Sequence, residues 1–116
     1  MDAKLSSADD SLISKLKQLV GNDHVLTEEK DRDFYSTDLS FRDREIAAVV
    51  VQPEDTEQLS GCVQAAVKSG MSIVARGGGM SYTSGYTPEK PDTMLLDMRR
   101  MNRVLEVNTD DMYVTV

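Results

Sequence analysis

The chain has 116 residues, a length that allows one folded domain and excludes two separate cores. Apolar residues make up 40% and charged residues 28%, which favours a globular fold over disorder. The formal net charge of −7 falls entirely within residues 1–60, so the composition provides no basic surface for a nucleic-acid backbone. We therefore expect no nucleic-acid partner.

Other counts exclude further classes. A single cysteine and a single histidine rule out an internal disulfide and a metal cluster built from these residue types, so we expect no metal site. The longest unbroken apolar run, at residues 46–51, is far shorter than the roughly 20 residues that a membrane-spanning helix needs. The N-terminus is acidic before any apolar stretch forms, so we expect no secretory signal and a cytoplasmic protein.

The first predicted element is an amphipathic helix within residues 1–24, which we expect to form an N-terminal helical extension. Its apolar stripe has helical spacing and consists of Leu12, Ile13, Leu16, Leu19 and Val20. Gly21 and Asn22 would end this helix, and Thr27 would begin a short second one. The polar stretch that follows has four scattered apolar anchors, Phe34, Tyr35, Leu39 and Phe41.

A strand, a helix and a second strand come next. The β-branched run at residues 46–51 is typical of a strand buried on both faces, and residues 72–76 form the second strand. Asp55 or Thr56 would cap the helix between them, whose apolar stripe is Leu59, Cys62, Val63, Ala66 and Val67. The pattern predicts a βαβ unit with adjacent, parallel strands and a right-handed crossover.

Three further strands complete the predicted α/β (α+β) fold. Residues 93–97 form the third strand, and residues 103–107 and 112–116 form a hairpin that we expect to complete a mixed sheet. The last strand reaches the final residue with an open β-branched edge, which native domains usually avoid. We therefore expect this chain to be the front piece of a longer protein.

Three glycines at positions 77–79 directly follow the second strand and indicate an anion site. Glycine permits positive φ, so successive backbone N–H groups can turn inward around an anion, and Ser81 adds a hydroxyl donor. We expect residues 76–81 to form an exposed concave loop with at least one glycine at positive φ and with N–H groups left free by the protein. A plain turn between two strands is the alternative interpretation.

Two commoner phosphate loops do not fit this spacing. A dinucleotide fingerprint that starts at Gly77 would need glycine at Tyr82, and the Gly-Lys-Ser/Thr of a P-loop is missing from the sequence. Gly85, Pro88 and Pro91 also prevent a good helix after the loop. The anion would therefore be held by the loop itself.

These residues resemble a known family. The Pro-Glu-Asp-Thr-Glu at 53–57, the following helix and the Arg-Gly-Gly-Gly-Met-Ser at 76–81 are similar to the first FAD-binding subdomain of the vanillyl-alcohol oxidase/p-cresol methylhydroxylase (PCMH-type) flavoproteins. The Tyr-Ser-Thr-Asp-Leu-Ser at 35–40 is similar to a stretch of its 2-hydroxyacid dehydrogenase branch, which includes glycolate oxidase and D-lactate dehydrogenase subunits. The resemblance covers residues 25–116, as a partial FAD-binding domain truncated at its C-terminal end.

The resemblance implies an FAD-dependent oxidoreductase that acts on a small 2-hydroxy acid or alcohol. The implied cofactor-binding residues are Arg76, Gly77, Gly78, Gly79, Met80, Ser81, Tyr82 and Gly85. Residues 76–82 would contact the FAD pyrophosphate and the nearby ribityl chain, mostly through backbone N–H groups, and Gly85 would keep the return leg of the loop close to the cofactor. Some family members have a histidine at the position of Met80 that bonds covalently to the flavin, so Met80 implies non-covalent FAD. The family's substrate and catalytic groups lie in parts outside these residues, and no catalytic residue is implied here.

Two other classes of function stay open at this stage. The same loop would serve a non-catalytic module that binds a nucleotide diphosphate, or the glycines would only turn the chain in a structural α/β interaction domain. We expect the 116 residues alone to be inactive, because half a pocket cannot enclose the 70–90% of a ligand that such sites bury.

Overall fold

The computed structural model describes residues 9–40 and 43–116, and the elements named below lie within these ranges. The helices are α1 (Asp10–Val20), α2 (Glu29–Tyr35) and α3 (Thr56–Lys68), with a 3-10 turn at Asn22–His24. The strands are β1 (Val25–Leu26), β2 (Val49–Val51), β3 (Ser72–Arg76), β4 (Thr93–Asp97), β5 (Glu106–Asn108) and β6 (Tyr113–Thr115). Phe41, predicted as an apolar anchor, lies outside the described residues.

Helix α1 confirms the amphipathic helix predicted from the sequence. Asp9 caps it, because its Oδ1 accepts a hydrogen bond of 2.7 Å from the backbone N–H of Leu12. Gly21 ends it at φ +94°, and its N–H donates to the carbonyl of Lys17 at 2.9 Å. The buried stripe of Leu12, Leu16 and Val20 faces the sheet core.

Strands β1, β2, β4 and β3, in this spatial order, form what we call the main sheet. β4 is parallel to both neighbours, with Val50 opposite Leu95 and Val74 opposite Leu95, while β1 runs antiparallel to β2. The prediction that the strands at 46–51 and 72–76 are adjacent is therefore wrong, because β4 lies between them. The two strands run in the same direction because each is parallel to β4, which lies between them.

The burial of each strand explains this order. All five residues of β4 are buried, and so are all three of β2, whereas four of the five residues of β3 are partly or largely exposed. A strand that is apolar on both faces is best placed in the centre of a parallel sheet, and a less buried strand takes the edge. The sequence of β4 therefore favours the central position more strongly than the sequence of β3 does.

Two apolar clusters cover the two faces of the main sheet. On one face, α1 and α3 pack against Val49, Val51, Met94 and Leu96. On the other, Ala47, Val50 and Leu95 pack with Tyr86. This alternation along β2 and β4 is the two-residue period of a strand. Cys62 is buried among the residues of the first cluster, but Val67, predicted for the apolar stripe of α3, is exposed.

The predicted C-terminal hairpin exists but does not join the main sheet. β5 and β6 pair antiparallel as a separate two-stranded sheet, with Val107 opposite Val114. The expectation that these strands complete a mixed sheet is wrong, although the main sheet is itself mixed through β1. Within the described residues, no helix is both long and apolar enough to cross a membrane.

Candidate functional site

The carboxyl ends of β2, β3 and β4 lie at one edge of the main sheet because these strands are parallel. Gln52 follows β2, while Arg76 and Asp97 end β3 and β4 and are partners in register. Ligands of open parallel sheets usually bind beyond this edge. The glycine loop, by which we mean residues 76–81, therefore leaves the sheet where a binding site is expected.

The glycine loop has the predicted backbone. Gly79 has φ +79°, and a Cβ added at Gly77 or Gly78 would meet no atom within 4 Å. Within residues 9–40 and 43–116, the backbone N–H groups of residues 77–81 donate to no protein acceptor. The prediction of a glycine at positive φ is confirmed, and these N–H groups are free to bind an anion.

Arg76 is buried, which the prediction of an exposed loop did not anticipate. Its side chain is 7% exposed and its guanidinium carbon lies 5.5, 5.0 and 5.3 Å from the ring centres of Phe34, Tyr35 and Tyr86. Aromatic faces stabilise such a cation. Among the described residues its Nε has no hydrogen-bond partner and no carboxylate pairs with it. A buried charge without a counter-ion favours an anionic ligand.

The guanidinium of Arg76 lies directly behind the loop. A Cβ added at Gly79 would overlap the Nη2 and the central carbon of this guanidinium, so any other residue would have to displace the guanidinium and would also be strained at φ +79°. The ring of Tyr86 that borders the guanidinium is held by its own hydroxyl, which donates to the carbonyl of Thr37 at 2.8 Å. The cation is therefore fixed beside the free N–H groups.

Asp38 joins the far end of the loop to the segment that follows α2. One carboxylate oxygen accepts hydrogen bonds from the N–H and hydroxyl of Ser40, at 2.8 and 2.6 Å. The other accepts from the N–H of Ser84 at 2.8 Å and the hydroxyl of Ser81 at 3.2 Å. The Ser40 hydroxyl contributes most to lowering the pKa of Asp38, and the other hydrogen bonds add to it against the effect of burial.

Ser81 uses its hydroxyl within the protein. This hydroxyl donates to Asp38 and accepts from the N–H of Gly85 at 3.0 Å, while the carbonyl of Ser81 accepts from the N–H of Leu39 at 2.8 Å. The hydroxyl, predicted as a donor to an anion, thus has another partner in this structure. What Ser81 leaves free is its backbone N–H.

A second polar group occupies the same sheet edge. Asp97, only 2% exposed, accepts from Gln52 Nε2 at 3.0 Å and from Arg99 Nε and Nη2, each at 3.1 Å. Arg99 Nη2 also donates to the hydroxyl of Tyr35 at 2.9 Å. Burial raises the pKa of Asp97, but the hydrogen bonds from Arg99 and Gln52 outweigh it and hold the pKa below its usual value.

The remaining predicted residues differ in their placement. Met80 and Tyr82 project into solvent, 72% and 73% exposed, and make no core contact. Gly85 lies against Ser81, since an added Cβ would be 3.2 Å from its Oγ. The structure thus brings Arg76, the three glycines, Ser81 and Gly85 together, and leaves Met80 and Tyr82 at the rim.

Sequence reasoning missed the partners of this site. Phe34, Tyr35 and Tyr86 border the guanidinium of Arg76, and Asp97 lies at the end of β4. A polar residue at the carboxyl end of a buried strand is the one signal that was available for Asp97. The similarity at residues 35–40 was noted, but its role in holding the glycine loop depends on contacts over more than 40 residues of sequence.

Comparisons with known proteins indicate the family of this chain. The FAD binding domain family matches residues 47–116. An uncharacterized FAD-linked oxidoreductase of Mycobacterium tuberculosis is 26% identical over 106 residues, 90% of this chain and 23% of that protein. The 4-ethylphenol oxidase of Gulosibacter chungangensis has a TM-score of 0.78 at 28% identity, over 98% of this chain and 22% of the oxidase.

The fold agrees with the resemblance noted in the sequence. p-Cresol methylhydroxylase matches with a TM-score of 0.72 at 20% identity, over 85% of this chain and 20% of that enzyme. The chain thus spans less than a quarter of the length of the relatives that it matches. Because the family matches more than half of the chain, the chain belongs to the FAD binding domain family.

Proposed function

We propose that the glycine loop holds the pyrophosphate of FAD. The observation that carries this proposal is the row of N–H groups at residues 77–81 beside the buried guanidinium of Arg76, neither of which has an acceptor or carboxylate partner among the described residues. Both features favour a ligand with two neighbouring negative charges. The residues proposed to contact FAD are Arg76, Gly77, Gly78, Gly79, Met80, Ser81, Tyr82 and Gly85. Ser81 would act through its N–H, because its hydroxyl is bound to Asp38.

We further propose that FAD binds without a covalent bond at this loop. Met80 is exposed at the loop rim, and its thioether lacks the ring nitrogen through which some members of the resembled family bond to the flavin. Residues 25–116 would be a partial FAD-binding domain, with residues 1–24 as a helical extension. A larger protein would supply the remaining walls of the cofactor pocket.

The proposed activity is the oxidation of a small 2-hydroxy acid or alcohol. When bound, FAD supplies the hydride acceptor for such a reaction. This chain's contribution is to bind and orient the cofactor, and we assign no catalytic residue within its 116 residues. The support for the substrate class is the similarity of residues 35–40 to the 2-hydroxyacid dehydrogenase branch.

Binding of ADP, FAD and FMN to the 116-residue chain tests the proposal. We expect weak binding of ADP and FAD, with backbone amide NMR shifts confined to residues 77–81 and their neighbours. FMN lacks a pyrophosphate and should bind more weakly. Equal affinity for ADP and FAD in a longer protein that contains this chain would instead favour a nucleotide-diphosphate module, while no response to any of the three would favour a structural domain.

Two variants locate the binding site. Gly78→Val places its side chain in open space in the free protein, so folding should be normal, but the added carbons would block a close approach of phosphate. Arg76→Met removes the buried charge, and Arg103→Met is its matched control at an exposed arginine. We expect Gly78→Val and Arg76→Met to lose ADP-dependent shifts and Arg103→Met to keep them. Full binding by Gly78→Val would contradict the proposal.

A further inference from the structure

Asp38 places a negative charge beside the site that we propose for an anion. The residue is 8% exposed, and its carboxylate accepts a hydrogen bond from the hydroxyl of Ser81, the last residue of the glycine loop. Its lowered pKa keeps the carboxylate ionised at neutral pH. A negative charge at this position repels a pyrophosphate. A favourable effect of Asp38 must therefore outweigh this repulsion. Its four hydrogen bonds, to Ser40, Ser81 and Ser84, indicate what that effect is.

We propose that Asp38 is a positioning residue that fixes the shape of the glycine loop and thereby sets its affinity for a pyrophosphate. This inference rests on the proposed function. Among the described residues, Asp38 contacts the loop through the Ser81 hydroxyl and the segment just after it through the Ser84 N–H, and neither contact uses the N–H groups of residues 77–81. Its role is therefore to hold the loop and not to contact the ligand.

The loop is fixed at two ends and free between them. At its start, the carbonyl of Arg76 accepts from the N–H of Met98 at 2.9 Å, which continues the pairing of β3 with β4. At its end, the hydroxyl of Ser81 donates to Asp38, which also accepts from the N–H of Ser84, three residues beyond the loop. Between these anchors, three glycines leave the backbone with more freedom than any other residue type. Without the Asp38 carboxylate, the hydrogen bond of 2.8 Å from the N–H of Leu39 to the carbonyl of Ser81 would be the remaining anchor at this end, so the loop would gain freedom.

The hydrogen bond to Asp38 also stabilises an unfavourable backbone conformation at Ser84. It has φ +64°, a left-handed conformation that is unfavourable for a residue with a Cβ. Its N–H donates a hydrogen bond of 2.8 Å to the carboxylate of Asp38, and its hydroxyl lies 3.3 Å from the hydroxyl of Ser40. A charged acceptor makes a stronger hydrogen bond than a neutral one. The carboxylate of Asp38 is thus suited to hold Ser84 in this conformation.

Asp38→Asn separates charge from position because the two roles predict opposite results. If Asp38 acted only through its charge, neutralisation would tighten the binding of an anion. If it holds the loop, Asp38→Asn should weaken binding, because the amide nitrogen of asparagine accepts no hydrogen bond and the side chain must give up either the pair from Ser40 or the pair from Ser81 and Ser84. We expect Asp38→Asn to bind ADP about tenfold more weakly than the unmodified chain, the effect of losing roughly one charged hydrogen bond.

The matched control and a second variant keep this test independent of folding. Asp33→Asn removes the same charge from the same part of the chain, where Asp33 pairs with Arg44 and makes no described contact with the glycine loop. Ser81→Ala removes one of the loop contacts and leaves Asp38 charged. We expect Asp33→Asn to bind ADP as the unmodified chain does, and Ser81→Ala to weaken binding in the same direction as Asp38→Asn but less.

Backbone dynamics in the absence of ligand provide a second readout. We expect the NMR order parameters of residues 77–81 to fall toward those of a flexible loop in Asp38→Asn, below about 0.6, while those of β3 stay unchanged. Unchanged loop dynamics, or tighter ADP binding by Asp38→Asn, would overturn the positioning role. If the unmodified chain itself shows no ADP-dependent shifts, the proposed function fails and the affinity role of Asp38 fails with it.

Discussion

Strand β4 and the hairpin of β5 and β6 share an apolar, strand-like sequence but differ in burial. All five residues of β4 are buried, whereas Val107 on β5 and Val114 on β6 are both exposed. β4 has a strand on each side and an apolar cluster on each face, while the hairpin strands have only each other within the described residues. An apolar strand therefore stabilises the fold only where other elements cover it.

The largest expected effect comes from shortening one apolar side chain in β4. Leu95 is fully buried between Val50 and Val74, so Leu95→Ala leaves a cavity that its neighbours cannot fill. We expect a loss of about 3 kcal/mol in the free energy of unfolding. Urea denaturation of the two proteins, followed by circular dichroism, measures this difference.

Val114→Ala is the matched substitution in the hairpin. Because Val114 is exposed in this chain, its truncation removes little contact, and we expect a change within about 0.5 kcal/mol. Equal losses for Leu95→Ala and Val114→Ala would mean that the hairpin is covered in solution, for example by association of two chains. Sedimentation of both variants at two concentrations distinguishes that case.

The polar end of β4 should contribute less than its apolar centre. Asp97→Asn removes the ion pair with Arg99 and weakens the hydrogen bond from Gln52. Since the side chain of Arg99 is half exposed, solvent screens part of this interaction, and we expect a loss of about 2 kcal/mol. The measurement is the same urea titration at neutral pH, with Asp33→Asn as the control for removal of an exposed carboxylate.

The pH dependence of this effect has a defined sign. The pKa of Asp97 is lower in the folded chain than its usual value of 3.8, so ionised Asp97 stabilises the fold above that value. This contribution is lost as the pH falls through the folded-state pKa. The stability of Asp97→Asn should therefore decline less steeply below pH 4 than that of the unmodified chain. Parallel acid limbs for the two proteins would contradict the assignment.

The sequence was sufficient to predict every strand except β1, but not the order of the strands. Periodicity depends on local patterns, and it located α1, α3, β3 and β4 within a few residues. The position of β4 between β2 and β3 depends on competition for the central place, which compares residues far apart in the chain. The two-residue strand β1 gave no such pattern and was missed.

The candidate site was predictable in the same partial way. The three glycines predicted a loop with positive φ, because the conformational freedom of glycine is a local property. The burial of Arg76 was not predictable, since it depends on rings from α2 and from Tyr86, which lies after the loop. The hydroxyl of Ser81 was assigned to an anion because its true acceptor, Asp38, is 43 residues earlier.

A smaller effect is expected where the glycine loop approaches Arg76. Gly79→Ala would place a Cβ in a left-handed conformation and against the guanidinium, and we expect a loss of about 1–2 kcal/mol in the free energy of unfolding. Gly78→Ala is the control, because its Cβ meets no atom within 4 Å. Thermal unfolding should separate the two variants by several degrees. Equal melting temperatures would mean that the guanidinium moves away without cost.

The smallest expected effect is local to the hairpin and concerns Met112. This residue is 89% exposed and has φ +59°, so its side chain gains little contact while its backbone lies in the left-handed region. Met112→Gly removes the steric cost, but it also gives the unfolded chain more conformations to lose. The two terms nearly cancel in the free energy of global unfolding, for which we expect a change within about 0.5 kcal/mol.

The hairpin itself should respond more clearly to this substitution than the whole fold does. Hydrogen exchange of the amides of β5 and β6 reports local opening. We expect slower exchange in Met112→Gly, because glycine adopts a positive φ without the steric cost that methionine has there. Thr109→Gly, in the same turn but without positive φ in the native chain, is the control and should exchange faster. Faster exchange in both variants would contradict this expectation, because it would mean that strain at Met112 does not limit the stability of the turn.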